Sequence, residues 1–211
     1  MLTHLKRFVI AAAAVLTVSL AASATPASAS GSWDYLLPPY GTCGTAAEGD
    51  MTKTYSQWTA GAMCLVNEAR MKYGLQAYAT ASNLVDSAYK KASDISVCQP
   101  DIDAYVTQPD GSKVPAVHLA CGHAMDYYVR WFHPCAGGAK FAENIHIGWG
   151  TATNYSNARE AVSGWLNSDL HRAALLSREY NVQGVMYSGP TTYPKEGPNA
   201  RIWVQQVGRC E

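Results

Sequence analysis

The sequence predicts an α+β fold in one disulfide-stapled domain, and three observations carry that expectation. Segments of helical period and segments of strand-like alternation are mixed along the chain without a strict βαβ repeat. All six cysteines (Cys43, Cys64, Cys98, Cys121, Cys135 and Cys210) lie beyond an export signal, where an even number reads as a disulfide set. The length left after that signal, roughly 180 residues, suits a single sizeable core.

Residues 1–29 read as the signal. Lys6 and Arg7 precede the apolar run Phe8 to Leu20, and Ala27-Ser28-Ala29 forms an A-x-A cleavage site, so the mature chain is expected to begin at Ser30. No later stretch has the roughly 18 uninterrupted apolar residues needed to cross a bilayer. A secreted, monomeric product without a transmembrane segment is therefore expected. Removing the signal takes two of the 16 basic residues and none of the 16 acidic ones. That near-neutral balance, with no basic run, gives no electrostatic case for nucleic acid or an anionic membrane.

Residues 30–55 form an N-terminal arm rich in Gly, Pro, Ser and Thr, expected to lack regular structure and to be tied down by Cys43. The main domain, 56–211, opens with a helix from Ser56, as its cap, to Tyr73. There Trp58, Met63, Leu65, Val66, Ala69 and Met71 recur at near-helical spacing, and Gly74 ends the pattern. A second helix follows, burying Ala81, Leu84, Val85, Ala88, Ala92 and Ile95, with Lys90 and Lys91 expected to face water. Gln99 to Lys113 reads as a surface loop with a turn at Asp110-Gly111. A short helix from about His123 to Phe132 stops at Pro134 and Gly137-Gly138.

The strand beginning at Phe141 places Glu143, Ile145, Ile147 and Trp149 on one parity and Asn144, His146 and Gly148 on the other. If the strand is regular, His146 cannot share a face with Glu143. The helix after it starts with Asn157 and Glu160 as a capping box and buries Ala161, Val162, Trp165 and Leu166; His171 and Arg172 follow about a turn beyond its end. Two strands, Val182 to Ser188 and Arg201 to Val207, close the chain around a Pro190, Pro194, Gly197-Pro198 loop. Six cysteines allow fifteen pairings. Cys98 with Cys121 is favoured, since it staples a helix end beside His118, and a structural zinc site is disfavoured by the lack of any C-x-x-C pair.

Five segments carry a resemblance: Leu65 to Arg70 (LVNEAR), Ala142 to Ile145 (AENI), Trp165 to Leu176 (WLNSDLHRAALL), Val182 to Tyr187 (VQGVMY) and Trp203 to Gly208 (WVQQVG). In order and spacing they resemble the CAP superfamily of cysteine-rich secretory proteins, antigen 5 and pathogenesis-related type 1 proteins, whose bacterial members are often called SCP-like extracellular proteins. The resemblance implies a single α-β-α sandwich with a central antiparallel sheet and a cleft on one side. Bacterial members line that cleft with a histidine before a helix, the glutamate of a G-E-N-[IL] strand, and the histidine of a W-x-x-S-x-G-H-R motif. His118, Glu143 and His171 match these positions. Ala142 and Leu170 replace the usual glycines, Ala174 replaces a common Asn, and Ser168 stands where many eukaryotic relatives carry a second glutamate, so the full His-Glu-Glu-His tetrad is absent.

Two neutral imidazoles and a carboxylate are a sensible ligand set for Zn²⁺ or another divalent cation, with a position left for water or ligand. The bland alternative has both histidines bonded to backbone near helix ends and Glu143 paired with a basic side chain such as Arg172. Three functions are thus in view. They are a secreted module whose cleft takes a metal with a small-molecule, lipid or cell-wall ligand; a metal-assisted hydrolase with Glu143 as the only candidate base; and an inert stapled surface protein. No G-x-S-x-G elbow surrounds Ser163 or Ser168, and His123 and His133 read as surface or satisfied histidines.

Overall fold

The computed structural model describes residues 32–132, 140–149, 156–193 and 197–209. The expected signal and mature start lie outside these residues, as do Cys135, Cys210, His133, Pro134 and Gly137-Gly138.

Helix α1 (Tyr55–Lys72) starts two residues earlier than expected, because Thr54 and not Ser56 caps it. The Thr54 hydroxyl accepts from Gln57 N–H while the Gln57 side chain accepts from Thr54 N–H, a complete capping box. A two-residue strand β1 (Ala79–Thr80) leads into α2 (Ser82–Cys98), whose buried stripe is Leu84, Ala88, Ala92 and Ile95. Lys91 corrects the expectation of a water-facing pair: it is completely buried, while the Lys90 side chain stays half exposed. Adjacent helical residues point about 100° apart, and Lys91 stands three after Ala88 and four before Ile95, inside the apolar stripe.

The expected loop carries short strands β2 (Tyr105–Thr107) and β3 (Lys113–Pro115) on either side of the Asp110-Gly111 turn, where Asp110 accepts from both Ser112 N–H and Oγ–H. A kinked 3-10 run over Ala116–Gly122 precedes α3 (Met125–Phe132). Then come β4 (Phe141–Gly148), α4 (Ala158–Asn167), α5 (Asp169–Leu175), β5 (Val182–Tyr193) and β6 (Gly197–Gly208). At α4 the Asn157 side chain accepts from Glu160 N–H, as its capping pattern predicts. The last two strands run further than expected. Pairing continues to Thr191 with Ala200 and Tyr193 with Gly197, with register shifts around Thr191 that accommodate Pro190, which has no N–H to give the ladder.

Strand order is β1-β5-β6-β4, antiparallel except for the short parallel β1–β5 pair. Alternation sends Val185, Tyr187, Trp203 and Val207 into one core with α1, α4 and Leu175 of α5. Their neighbours Ile145, Ile202 and Val204 pack on the opposite face against Ala88, Ala92 and Ile95 of α2. The result is the helix–sheet–helix sandwich that the resemblance implies.

The arm is more structured than its punctuation predicts. It forms two single 3-10 turns, Trp33–Leu36 and Thr45–Glu48, and buries Leu36, Ala46 and Ala47 in the first core. Cys43 bonds Cys64 on α1, and Arg159 of α4 grips both Glu48 carboxylate oxygens at 2.6 and 2.7 Å while donating to Pro38 C=O. The favoured Cys98–Cys121 bridge is present. Among the described residues no helix is long and apolar enough to cross a membrane.

Candidate functional site

Strand β4 lies at the end of the sheet order and pairs without a break, from Phe141 opposite Gly208 to Gly148 opposite Arg201. Regular pleating therefore turns Glu143 and Ile145 towards α2, and Asn144 and His146 towards α4 and α5. The site assembles around the free edge of this strand, with Glu143 reached from one face of the sheet and His171 from the other.

The Glu143 side chain is 1% exposed and surrounded by donors. Oε1 accepts from Nδ1 of His118 at 2.9 Å, and Oε2 accepts from Nε2 of Gln206 at 3.0 Å. A carboxylate only accepts, so Nδ1 of His118 carries the proton and its Nε2 is left free to accept or ligate. Lys91 completes the cluster. Its ammonium lies 3.9 Å from Glu143 Oε1 and donates to His118 C=O at 2.7 Å. Burial pulls the Lys91 pKa down, and the charges of Glu143 and Asp94 pull it back up. The partner first considered for Glu143, Arg172, is used elsewhere. It donates to Asp169 and to Leu166 C=O, and its guanidinium lies 4.3 Å from the Trp33 ring centre.

His171 sits on α5, where Ser168 interrupts the preceding helix and lets the chain restart. Its backbone is held by a buried chain of amides that crosses the sheet. Asn67 of α1 accepts from Gln183, Gln183 accepts from Gln205, Gln205 accepts from Asn144, and Asn144 also donates to His171 C=O at 3.2 Å. Sequence reasoning missed these four residues as positioning groups. All four lie inside the family-like segments. The result places the His171 ring centre 6.5 Å from that of His118. Burial, then the neighbouring His118 charge, lowers the His171 pKa and favours its neutral form.

Among the described residues no three His, Cys, Asp or Glu side chains gather into a metal-binding group. Two neutral imidazoles are donors of the type a divalent ion takes. Metal–nitrogen bonds are about 2.0–2.1 Å and a ring nitrogen lies roughly 1.2 Å from its ring centre, so one tetrahedral ion needs centres about 5 Å apart; from 6.5 Å the two imidazoles must close by about 1 Å to share it. Glu143 behind His118 is then the carboxylate that fixes the ligand's tautomer, as metal-bound histidines commonly require. On the His118 and Glu143 side lies a cleft of about 420 Å³, walled also by Leu119, Met125, Phe141 and Ala142; His171 does not line it.

His123, His146 and Ser163 take structural places. His123 stacks on Tyr127 with ring centres 3.8 Å apart, and Ser163 donates to Asp34 at 2.6 Å. His146 lies beneath α4, where a Cβ at Gly164 would stand 2.8 Å from its Nδ1. Burial, with a smaller effect from His171, lowers its pKa from 6.5 to about 4. In the unfolded chain the same ring regains its ordinary value, so its contribution to stability is full above pH 6.5 and is lost as pH falls towards 4. The loss amounts to about 3 kcal/mol. Urea unfolding of the wild type and of His146→Gln across that interval should show a shallower pH dependence in the variant; equal slopes would mean that the ring is hydrated.

An α-β-α sandwich with paired histidines at the edge of its sheet defines a class, and sequence comparison agrees with it. The profile of the cysteine-rich secretory protein (CAP) family matches residues 63–207, and the chain belongs to that family. No curated protein matches it in sequence. Among solved structures it is similar to an outer surface protein of Borrelia burgdorferi, with a TM-score of 0.52 and 14% identity over 75% of this chain and 97% of that one. A cysteine-rich secretory protein of Staphylococcus aureus aligns at TM-score 0.46 and 15% identity, over 74% of this chain and 39% of its own. An extracellular protein with an SCP domain from Bacillus anthracis aligns at TM-score 0.44 and 21% identity, over 75% and 42% respectively.

Proposed function

We propose that this chain is a secreted CAP-domain binding module whose cleft holds a divalent ion, Zn²⁺ being the natural choice, together with a small ligand. The observation that supports this most is the His118–Glu143 hydrogen bond, which leaves Nε2 of His118 free beside the His171 ring. His118 and His171 would hold the ion, Glu143 would orient His118, and the apolar wall at Leu119, Met125 and Phe141 would take the ligand's non-polar part. The ion would supply Lewis acidity and an open coordination position for a ligand oxygen or nitrogen. Binding is favoured over hydrolysis because Glu143, the only candidate base, already accepts from two partners and is shielded from water.

Calorimetric titration with Zn²⁺ at pH 7.5 tests this reading. One-to-one binding is expected in the wild type, with a loss of about a hundredfold or more in either His118→Ala or His171→Ala, as removal of one of two ligands implies. Affinity should fall at pH 5.5, because imidazoles bind metal only when neutral. No saturable binding at millimolar Zn²⁺, or binding that survives both substitutions, would sink it.

A further inference from the structure

A second concave site lies on the loops that join α1 to β1, α5 to β5, and leave β6. It is a cavity of about 450 Å³ lined by Arg70, Arg178 and Arg209 together with Gln76, Tyr180 and Asn181, and among the described residues no carboxylate contributes to its wall. The acid nearest in sequence, Glu179, is bonded to Lys140 at 3.1 Å. Among the described residues three guanidiniums thus share one cavity without a counter-charge in its lining, on a protein whose overall charge is near zero.

The three arginines differ in burial in a way that suits a binding site. Arg70 is 3% exposed and rigid: Nε donates to Gln76 C=O at 2.9 Å, Nη1 donates to Leu175 C=O and Ser177 C=O, and the group stacks 3.4 Å over the Tyr78 ring. Those three bonds leave the Nη2 amino group outside them. Arg178 and Arg209 are exposed, and among the described residues their side chains make no hydrogen bond or ion pair. Placing like charges together raises the energy of the site until an anion joins them. The planar guanidinium fork matches oxyanions in paired hydrogen bonds, which is why arginine is favoured where phosphate is recognised.

We propose that this cavity binds the phosphate group of a small molecule, with Arg70 as the preset floor and Arg178 and Arg209 as the closing clamps. The volume admits a phosphate with a sugar-sized substituent. A concave site argues for a discrete ligand over a flat polyanion, since the chain carries no basic run. This site is separate from the histidine pair and does not depend on metal there.

The test is titration of the purified protein with inorganic pyrophosphate at physiological salt, using the wild type, the Arg178→Ala/Arg209→Ala double variant, and Lys113→Ala on the β2–β3 hairpin as a control for loss of a basic side chain away from the cavity. Both exposed arginines can be removed without touching the core, and matched circular dichroism spectra would confirm this. Saturable binding is expected, weakened at least about tenfold in the double variant by loss of two charge-assisted contacts and unchanged in the control. Equal affinity in all three proteins would overturn the proposal, as would absence of saturation at millimolar pyrophosphate. Binding to anionic phospholipid vesicles without binding to pyrophosphate would also overturn it, in favour of a membrane surface.

Discussion

Replacing Gly184 by alanine should destabilise the fold by at least about 3 kcal/mol, read as a drop in the urea midpoint at unchanged m-value. Gly184 lies in β5, where the first turn of α2 crosses the sheet. A Cβ there would stand 2.2 Å from Leu84 C and Val85 N and 2.6 Å from Leu84 O. These are backbone atoms, which cannot rotate aside as a side chain would, so α2 must lift from the sheet. Lifting it would open the core that Ala88, Ala92 and Ile95 share with Ile202 and Val204. A loss below about 1 kcal/mol, under the centre of the range for point mutants, would mean that α2 is not seated on the strand as closely as described.

Lys91→Met is the second substitution with a large expected cost, about 3–5 kcal/mol. Methionine fills the space, but it leaves Glu143 buried without its neighbouring cation and removes the donor to His118 C=O. The damage should be partly relieved by neutralising the other partner. In a double-mutant cycle, Glu143→Gln should cost less in the Lys91→Met background than in the wild type. Additive costs would show that the ammonium and the carboxylate do not feel each other across 3.9 Å.

Lys91 also marks the boundary of what could be read from the sequence. The period of α2 puts position 91 inside the apolar stripe, whereas the residue type argues for water. The structure resolves the conflict through partners far away in the chain, Glu143 and the carbonyl of His118, which no local pattern reveals. The amide chain from Asn67 to Asn144 was hidden for the same reason, since each amide finds its partner on another strand or helix. Local signals did better. The Asn157 cap, the stripe of α4, the alternation in β4 and the separation of His146 from Glu143 all follow from period and capping chemistry. The Cys98–Cys121 bridge followed from its place at a helix end. The short β2–β3 hairpin was read only as its turn, because three-residue strands carry too little alternation to register.

The resemblance selected His118, Glu143 and His171, and the structure adds how they are arranged. Glu143 backs His118, while His171 comes round the edge of β4, tethered through Asn144. Anomalous scattering from a crystal soaked in Zn²⁺ at pH 7.5 would show that arrangement outright. A single zinc peak within coordination distance of both the His118 and His171 rings, with Glu143 still bonded to Nδ1 of His118, is the predicted result. Zinc bound directly by Glu143 with that hydrogen bond broken, or no peak between the two rings, would contradict it.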